Sequence, residues 1–321
     1  MSGVLFVSQN PLDRAENIRA VWGAYDGPKV FRHGVGGMVN AEAEGFAAVV
    51  CDCLPARIRD KSRVRSVNLG HGLTGGKLYG ADEKWKPWFD AAAASQTDFA
   101  ISSSEAGIPI VAGQLGIPED RVLPLGFPRT DAYFSDGPKM DRSALGYRRV
   151  YLYAPTFRYE SDGWLPRIDW QKVDGMLAED EAVVVKRHYF TERPLAAGGL
   201  RHVREICPDE PSTFFLRSCD VILTDYSSIL FDAYILGKPA VLTVDDMDRF
   251  IGKRGMYHPF PDFYSSRWIA AEGNEEALVS MLREAADNGM GETERRCVEA
   301  VAGACDGSSV ERVCDLIRSL T

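Results

Sequence analysis

Apolar residues in this chain follow two alternating patterns: short unbroken runs, and stretches in which they recur every three or four positions. The first pattern predicts strands buried on both faces, the second amphipathic helices. In the first half, strands are predicted over residues 4–7, 30–32, 47–50, 66–69, 99–102 and 122–126, with helices over 11–24, 85–94 and 105–115. Residues 136–149, carrying Gly137, Pro138 and several charges, read as a linker. The alternation then begins again, with strands over 150–154, 182–185, 221–223 and 239–244. From residue 274 onward the periodicity is helical, the last helix running over 292–320. Repeated strand–helix alternation predicts an α/β protein with parallel sheets. The expected organisation is two Rossmann-like domains facing a cleft, residues 1–136 and 137–321, with C-terminal helices, the last of them placed to pack back on the first domain.

The run from Cys219 to Pro239 is the most informative. Val221-Ile222-Leu223 stops at Thr224-Asp225, and Tyr226-Ser227-Ser228 opens a helical pattern carried by Ile229, Leu230, Ala233 and Leu236. Gly237 and Pro239 close it, as a glycine past the last turn and a following proline do. In open α/β sheets, ligands bind outside the carboxyl ends of the strands. Two serines at a helix start offer hydroxyls and unpaired N–H groups to an anion, but a serine there also caps a helix for about 1 kcal/mol. The local pattern leaves both readings open. The strand over 182–185 delivers Lys186, Arg187 and His188 to the same sheet edge. Gly70-His71-Gly72-Leu73-Thr74-Gly75-Gly76-Lys77 follows another strand and reads as a loop built for close backbone approach, its histidine suited to act as a base. His33-Gly34-Val35-Gly36-Gly37 is read as a tight strand-to-helix turn lining the same cleft.

Composition narrows the class. With 45% hydrophobic and 26% charged residues the chain is an ordinary globular one, and its 321 residues suit about two domains. A net charge of −9 argues against nucleic acid as a partner and requires any polyanionic ligand to be met by a local basic cluster. Seven scattered cysteines fit a reduced compartment better than a disulfide framework. The opening residues enter a strand without a basic leader, so a cytoplasmic location is expected. Arg57, Arg59, Lys61, Arg63 and Arg65 form a solvated face and are the only candidates for peripheral contact with the inner membrane face. There is no Gly-x-Gly-x-x-Gly and no Walker A loop, which removes the dehydrogenase and P-loop readings. Asp246-Met247-Asp248 is read as a helix cap, not a metal motif, and neither metal nor cofactor is expected. Two alternating halves across a cleft are the GT-B arrangement of glycosyltransferases.

Six strings in order then carry a resemblance: His71-Gly72 with Lys77; Gly126-x-Pro128-Arg129-x-Asp131; Tyr153-Ala154-Pro155-Thr156-x-Arg158; Lys186-x-His188; Thr224-Asp225-Tyr226-Ser227-Ser228 with Phe231-Asp232 and Lys238-Pro239; and Arg254-Gly255-x-Tyr257. Together they span about residues 70–257 and resemble the CDP-glycerol glycerophosphotransferase family of teichoic-acid primases and polymerases. Two departures stand out. The histidine loop is one residue longer than the family's His-Gly-Thr-Pro-x-Lys, on the acceptor side, and the additional N-terminal region of the large polymerases is not seen.

The resemblance implies a GT-B-like transferase that moves glycerol phosphate, or a related polyol phosphate, from a CDP-activated donor to a glycan or lipid-linked acceptor. It implies donor binding by Thr156, Arg158, Lys186, Asp225, Tyr226, Ser227, Ser228, Asp232 and Arg254. Ser227 and Ser228 hold phosphate oxygens, while Arg158, Lys186 and Arg254 neutralise the CMP leaving group. His71 is the implied base, with Gly72 and Lys77 on the acceptor side, and His188 binds phosphoryl oxygens or assists the leaving group. Asp232 either orients donor hydroxyls or supports helix-to-sheet packing. Arg129 and Asp131 are expected to form an ion pair near the interdomain hinge, and His202 and His258 to lie on the surface. The alternative is a GT-B glycosyltransferase using a nucleotide sugar; a third reading is a nucleotide-binding module without catalysis, against which His71, Lys186 and His188 at strand ends argue.

Overall fold

The computed structural model describes the chain apart from residues 1–2, 35–37, 40, 42–43, 53–56, 71–74, 77–94, 143–145, 158–167, 189–190, 192, 197, 209 and 211, with Met38, Val39 and Arg254 described by backbone alone. It divides into two compact units, one of Met1–Asp136, Lys253–Gly255 and Glu299–Thr321, the other of Gly137–Gly252 and Met256–Val298.

The first unit is built on a parallel sheet. In chain order its strands are β1 (Gly3–Ser8), β2 (Lys29–His33), β4 (Phe46–Cys51), β6 (Arg65–Asn68), β7 (Phe99–Ile101) and β8 (Val122–Leu123), arranged β2-β1-β4-β6-β7-β8. The apolar runs of the inner strands are buried, with Val4, Leu5, Phe6, Val49 and Val50 exposing nothing to solvent, whereas edge strand β2 is largely exposed. Helix α1 (Glu16–Ala24) starts five residues later than its periodicity predicts, because Pro11 to Ala15 form a turn closed by the Arg14 and Ala15 amides on the Pro11 carbonyl. Among the described residues the element after β2 is β3 (Met38–Val39), held in a short parallel ladder with β5 (Arg57–Ile58). Residues 35–37 of that predicted turn lie outside the described residues, as does the helix predicted over 85–94. Helix α2 (Ile108–Leu115) precedes β8, which ends at Leu123 because Pro124 has no N–H to extend the ladder.

The second unit repeats the scheme. Strands β9 (Arg149–Tyr153), β10 (Glu181–Val185), β11 (Val203–Glu205), β12 (Val221–Thr224), β13 (Ala240–Thr243) and β14 (Trp268–Ile269) form a parallel sheet in the order β11-β10-β9-β12-β13-β14. Helices α3 (Trp170–Met176), α4 (Ser212–Ser218), α5 (Ile229–Ile235), α6 (Met247–Arg254) and α7 (Glu275–Asn288) connect or cover the strands. One core joins Tyr151, Tyr153, Val183, Leu223 and Val241 of the sheet to Trp170 of α3 and Leu278 and Leu282 of α7. Beyond α7 come α8 (Glu292–Ala302) and α9 (Ser309–Ser319). The single long helix predicted over 292–320 is therefore broken. The break carries Gly307, at φ +93°, whose Cα lies so close to the Phe134 ring that a Cβ would sit 2.9 Å from the Phe134 Cβ.

One charge is buried inside this second sheet. Glu181 opens β10 at 2% exposure and accepts from the Arg283 guanidinium at 2.6 Å, the Tyr151 hydroxyl at 2.9 Å and the Ala178 amide at 3.0 Å. Burial pushes its carboxyl pKa up, but the Arg283 bonds, with the Ala178 amide and the Tyr151 hydroxyl, more than reverse this and hold it at about 2. Removing one partner of a buried pair leaves the other charge uncompensated. Glu181→Gln should therefore lower the stability of the unit by about 3 kcal/mol at neutral pH, read by urea unfolding. Because the folded-state pKa is depressed, the contribution is complete above the ordinary carboxylate range and is lost as pH falls from about 4.5 toward 2. The variant should show a shallower acid limb than the wild type over that window.

Candidate functional site

The predicted donor residues depend on the register of the second sheet. Tyr153 of β9 is level with Val185 of β10 on one side and Leu223 of β12 on the other. One residue further along, Lys186 and Ala154 stand just past the ends of β10 and β9, level with Thr224, the last residue of β12. The Lys186 amide donates to the Tyr153 carbonyl at 2.8 Å, the Ala154 amide to the Leu223 carbonyl at 3.0 Å, and the Thr224 hydroxyl to the Ala154 carbonyl at 2.7 Å. Past this line, Asp225 Oδ1 accepts the Thr156 amide at 2.7 Å, tying the β12 turn to the β9 turn. Asp225 is 2% exposed and Thr156 7%, so this tie lies inside the fold, beneath whatever approaches the edge.

The three residues that follow β10 each meet a partner within the fold. Lys186 is buried, and its ammonium donates to the Pro208 carbonyl at 2.8 Å. Arg187 turns toward β11, pairing with Glu205 at 2.8 Å and reaching the Thr191 carbonyl. His188 is half-buried and packs its ring on Phe157, centroids 4.8 Å apart. Ser227 and Ser228 are half-exposed. Ser228 immediately precedes α5 with φ −66° and ψ −12°, already helical, and its side chain makes no capping bond. A capping serine has extended dihedrals and turns its oxygen onto the following amides, so Ser228 is not spent as a cap. Asp232, in the first turn of α5, is buried at 6% exposure. His71, Gly72, Lys77 and Arg158 lie outside the described residues, as does the side chain of Arg254. Among the described residues no group of His, Cys, Asp or Glu is arranged to hold a metal ion, and no helix is long and apolar enough to cross a membrane.

At the corresponding edge of the first sheet, polar residues that expose almost nothing gather where β1, β4 and β6 end. The Ser8 hydroxyl donates to Asp52 at 2.9 Å, and Asn68 Oδ1 accepts the Gly70 amide at 2.8 Å. Gly70 has φ +65° and lies against the Phe127 ring, where a Cβ would sit 3.2 Å from the ring carbons. Asn17 of α1, 3% exposed, donates to the carbonyls of Leu69 at 3.3 Å and Gly70 at 3.2 Å, and its Oδ1 accepts the Arg129 amide at 3.1 Å.

These features now meet the comparisons. A model of the family described as CDP-glycerol:poly(glycerophosphate) glycerophosphotransferase matches residues 43–319. The chain belongs to this family. It is 26% identical over 241 residues to the teichoic acid ribitol-phosphate primase of Bacillus spizizenii, covering 70% of this chain and 60% of that protein. It is 25% identical over 230 residues to the ribitol-phosphate polymerase TarK of Staphylococcus aureus, covering 66% and 45%, and 29% identical over 196 residues to the glycerol-phosphate primase of Bacillus subtilis, covering 59% and 50%. The chain thus spans about half the length of the curated relatives it matches. Among solved structures, the wall teichoic acid polymerase TagF superposes with a TM-score of 0.74 at 19% identity over 99% of this chain and 88% of that one. A crystal of the same polymerase soaked with CDPG gives 0.73. The UDP-GlcNAc 2-epimerase of Neisseria meningitidis gives 0.60 at 12% identity, covering 99% of this chain and all of the other. These likenesses show a two-domain, GT-B-like α/β fold.

Several family strings have structural duties that the sequence reading assigned otherwise. Asp131 is no hinge partner of Arg129: its two oxygens accept the Ser309 and Val310 amides at 3.0 and 2.7 Å, capping α9, while Arg129 reaches Glu16 at 3.7 Å and the Tyr133 hydroxyl at 3.3 Å. Gly126, at φ +77°, admits no side chain, since a Cβ would lie 2.3 Å from the Ser309 hydroxyl oxygen and 2.4 Å from the Ala304 carbonyl. His202, expected at the surface, is instead buried, its Nδ1 at 3.2 Å from the Glu181 carbonyl, while half-buried His258 stacks on Phe263. In the basic segment Lys61 is committed to Asp98, the Gln96 carbonyl and Ser66, whereas Arg57, Arg59, Arg63 and Arg65 are exposed.

Asn17 escaped the sequence reading altogether. Its only signal there is an amide interrupting the apolar face that Ile18 and Val21 define. Asn17→Leu keeps that face apolar but strands two carbonyls and an amide. It should cost about 3 kcal/mol in urea unfolding and speed hydrogen exchange at the Arg129 amide, which loses its acceptor, measured by mass spectrometry under native conditions.

Proposed function

We propose that this chain transfers glycerol phosphate, or a related polyol phosphate, from a CDP-activated donor to a hydroxyl on a glycan or lipid-linked acceptor in the synthesis of a cell-surface polymer. The observation that carries the reading is the common sheet edge at which Lys186, Thr156, Asp225, Ser227 and Ser228 converge, fixed by the level register of β10, β9 and β12. The family match supports the donor class, and the names of the relatives support both glycerol and ribitol phosphate as the transferred group.

In this reading residues 137–298 hold the donor. The Ser227 and Ser228 hydroxyls bind its phosphate oxygens, with Lys186, Arg158 and Arg254 supplying the positive charge that the net −9 of the chain does not. Transfer makes one bond and breaks one: the acceptor oxygen bonds to the β-phosphorus, and the bond from that phosphorus to the bridging oxygen breaks, its electron pair leaving with CMP. His71 takes the acceptor proton, and Gly72 and Lys77 are assigned to the acceptor side. Positive groups fixed around the departing phosphate act where charge develops, the kind of preorganisation whose single contacts carry about 3 kcal/mol. His188, its ring tilted against Phe157, faces the phosphoryl oxygens, and Tyr226 and Asp232 support the serines from behind. The exposed Arg57, Arg59, Arg63 and Arg65 form the surface for an anionic inner-leaflet contact, in keeping with a cytoplasmic, peripheral enzyme.

Calorimetric titration with CDP-glycerol, CDP-ribitol, CMP and a panel of UDP- and GDP-sugars, with and without Mg²⁺, tests the donor assignment. Cytidylate-selective binding is expected, weakened at least tenfold by Ser227→Ala with Ser228→Ala, since hydrogen bonds to charged groups are worth about 1.5–3 kcal/mol each. Preference for a UDP- or GDP-sugar would sink the reading and promote glycosyl transfer on the same fold.

A further inference from the structure

The serine turn is clamped from both flanks. On the β9 side Asp225 takes the Thr156 amide, as described. On the β13 side the clamp is Tyr226, 3% exposed, whose ring lies flat on Phe250 with centroids 4.0 Å apart and planes within 9°. Phe260 closes on the same ring at 4.8 Å. The Tyr226 hydroxyl donates to Asp246 Oδ1 at 3.0 Å. Asp246 immediately precedes α6, and Phe250, whose amide donates to the Asp246 carbonyl at 2.8 Å, stands one turn later. That spacing places the two side chains on one helical face, one meeting the phenol oxygen and the other the ring. The sequence offered Asp246-Met247-Asp248 as a cap or a metal motif; the Asp246 carboxylate instead engages the residue next to Ser227.

We propose that Asp246 and Phe250 are positioning residues for the donor: by fixing the phenol and ring of Tyr226 they set the direction in which the Ser227 and Ser228 hydroxyls leave the sheet edge. The inference rests on the reading of those serines as phosphate ligands. A turn held on one flank only would keep its backbone course through Asp225 but lose the orientation of the hydroxyls, and phosphate affinity depends on that orientation. The loop after one strand thus buttresses the loop after its neighbour, and β12 and β13 are adjacent in the sheet.

A double-mutant cycle tests this, with Tyr226→Phe, Asp246→Ala, the two combined, and Asp246→Asn as the variant whose amide oxygen still accepts. Titrations use CDP-glycerol and inorganic pyrophosphate, with urea midpoints measured in parallel. Each single substitution should weaken both ligands about tenfold, the double should be no weaker than either single, and Asp246→Asn should recover most of the affinity. Affinities within twofold of wild type alongside lowered urea midpoints would reduce the pair to structural support and overturn the proposal, as would losses that simply add. If wild type binds pyrophosphate but no cytidylate, the donor assignment fails and the cycle on pyrophosphate still decides the positioning role. If it binds neither, both fall.

Discussion

The level register of β9 with its two neighbours is the constraint on which the candidate site depends. Because Tyr153 stands beside both Val185 and Leu223, three turns of separate sequence origin begin at the same height. A slip of one residue on either side would turn the following side chains to the opposite face of the sheet. The unbroken apolar strands make such a slip costly, since both faces are buried and each side chain fits one layer of core. Cross-strand bonds just beyond the strands then extend that order into the turns. Thr224 on Ala154 and Asp225 on Thr156 hold backbone where the ladder itself has ended.

The first sheet solves the same problem with buried side-chain amides. Asn17, Asn68 and the left-handed Gly70 fix the chain where it leaves β6, and Phe127 with the Arg129 amide brings the Gly126–Asp131 string into the same arrangement. A family signature thus records two kinds of demand. Ser227 and Ser228 are half-exposed and the Ser228 side chain makes no capping bond, whereas Gly126 and Asp131 are required by packing and by the end of a helix. Pattern matching alone does not separate the two, because both leave the same trace in sequence.

Much of the fold was legible because parallel strands are apolar on both faces and their runs announce themselves, as at residues 182–185 and 221–223. The closure of α5 was equally readable: Gly237 at φ +71° and the Lys238 amide on the Ala233 carbonyl terminate it where the glycine stands. What escaped were features fixed by distant partners. The break between α8 and α9 depends on Phe134 and Asp131, and the burial of His202 on its place beside Glu181. The engagement of Asp246 depends on a tyrosine twenty residues earlier. Residue type foretold that Asp246 would find a donor, but not which one, since sequence spacing carries no information about contacts made across a sheet.

The capping of α9 by Asp131 has a consequence for the order in which the chain is made. Residues 299–321 belong to the same compact unit as residues 1–136, with the whole second sheet intervening. On a ribosome the second unit has all its strands before α9 emerges, while the first unit must wait with the face of α1 that receives α9 still open. Domains generally fold as units in the order of their synthesis. Here the unit begun first is the one finished last, and its exposed interval is set by the time needed to translate the second unit.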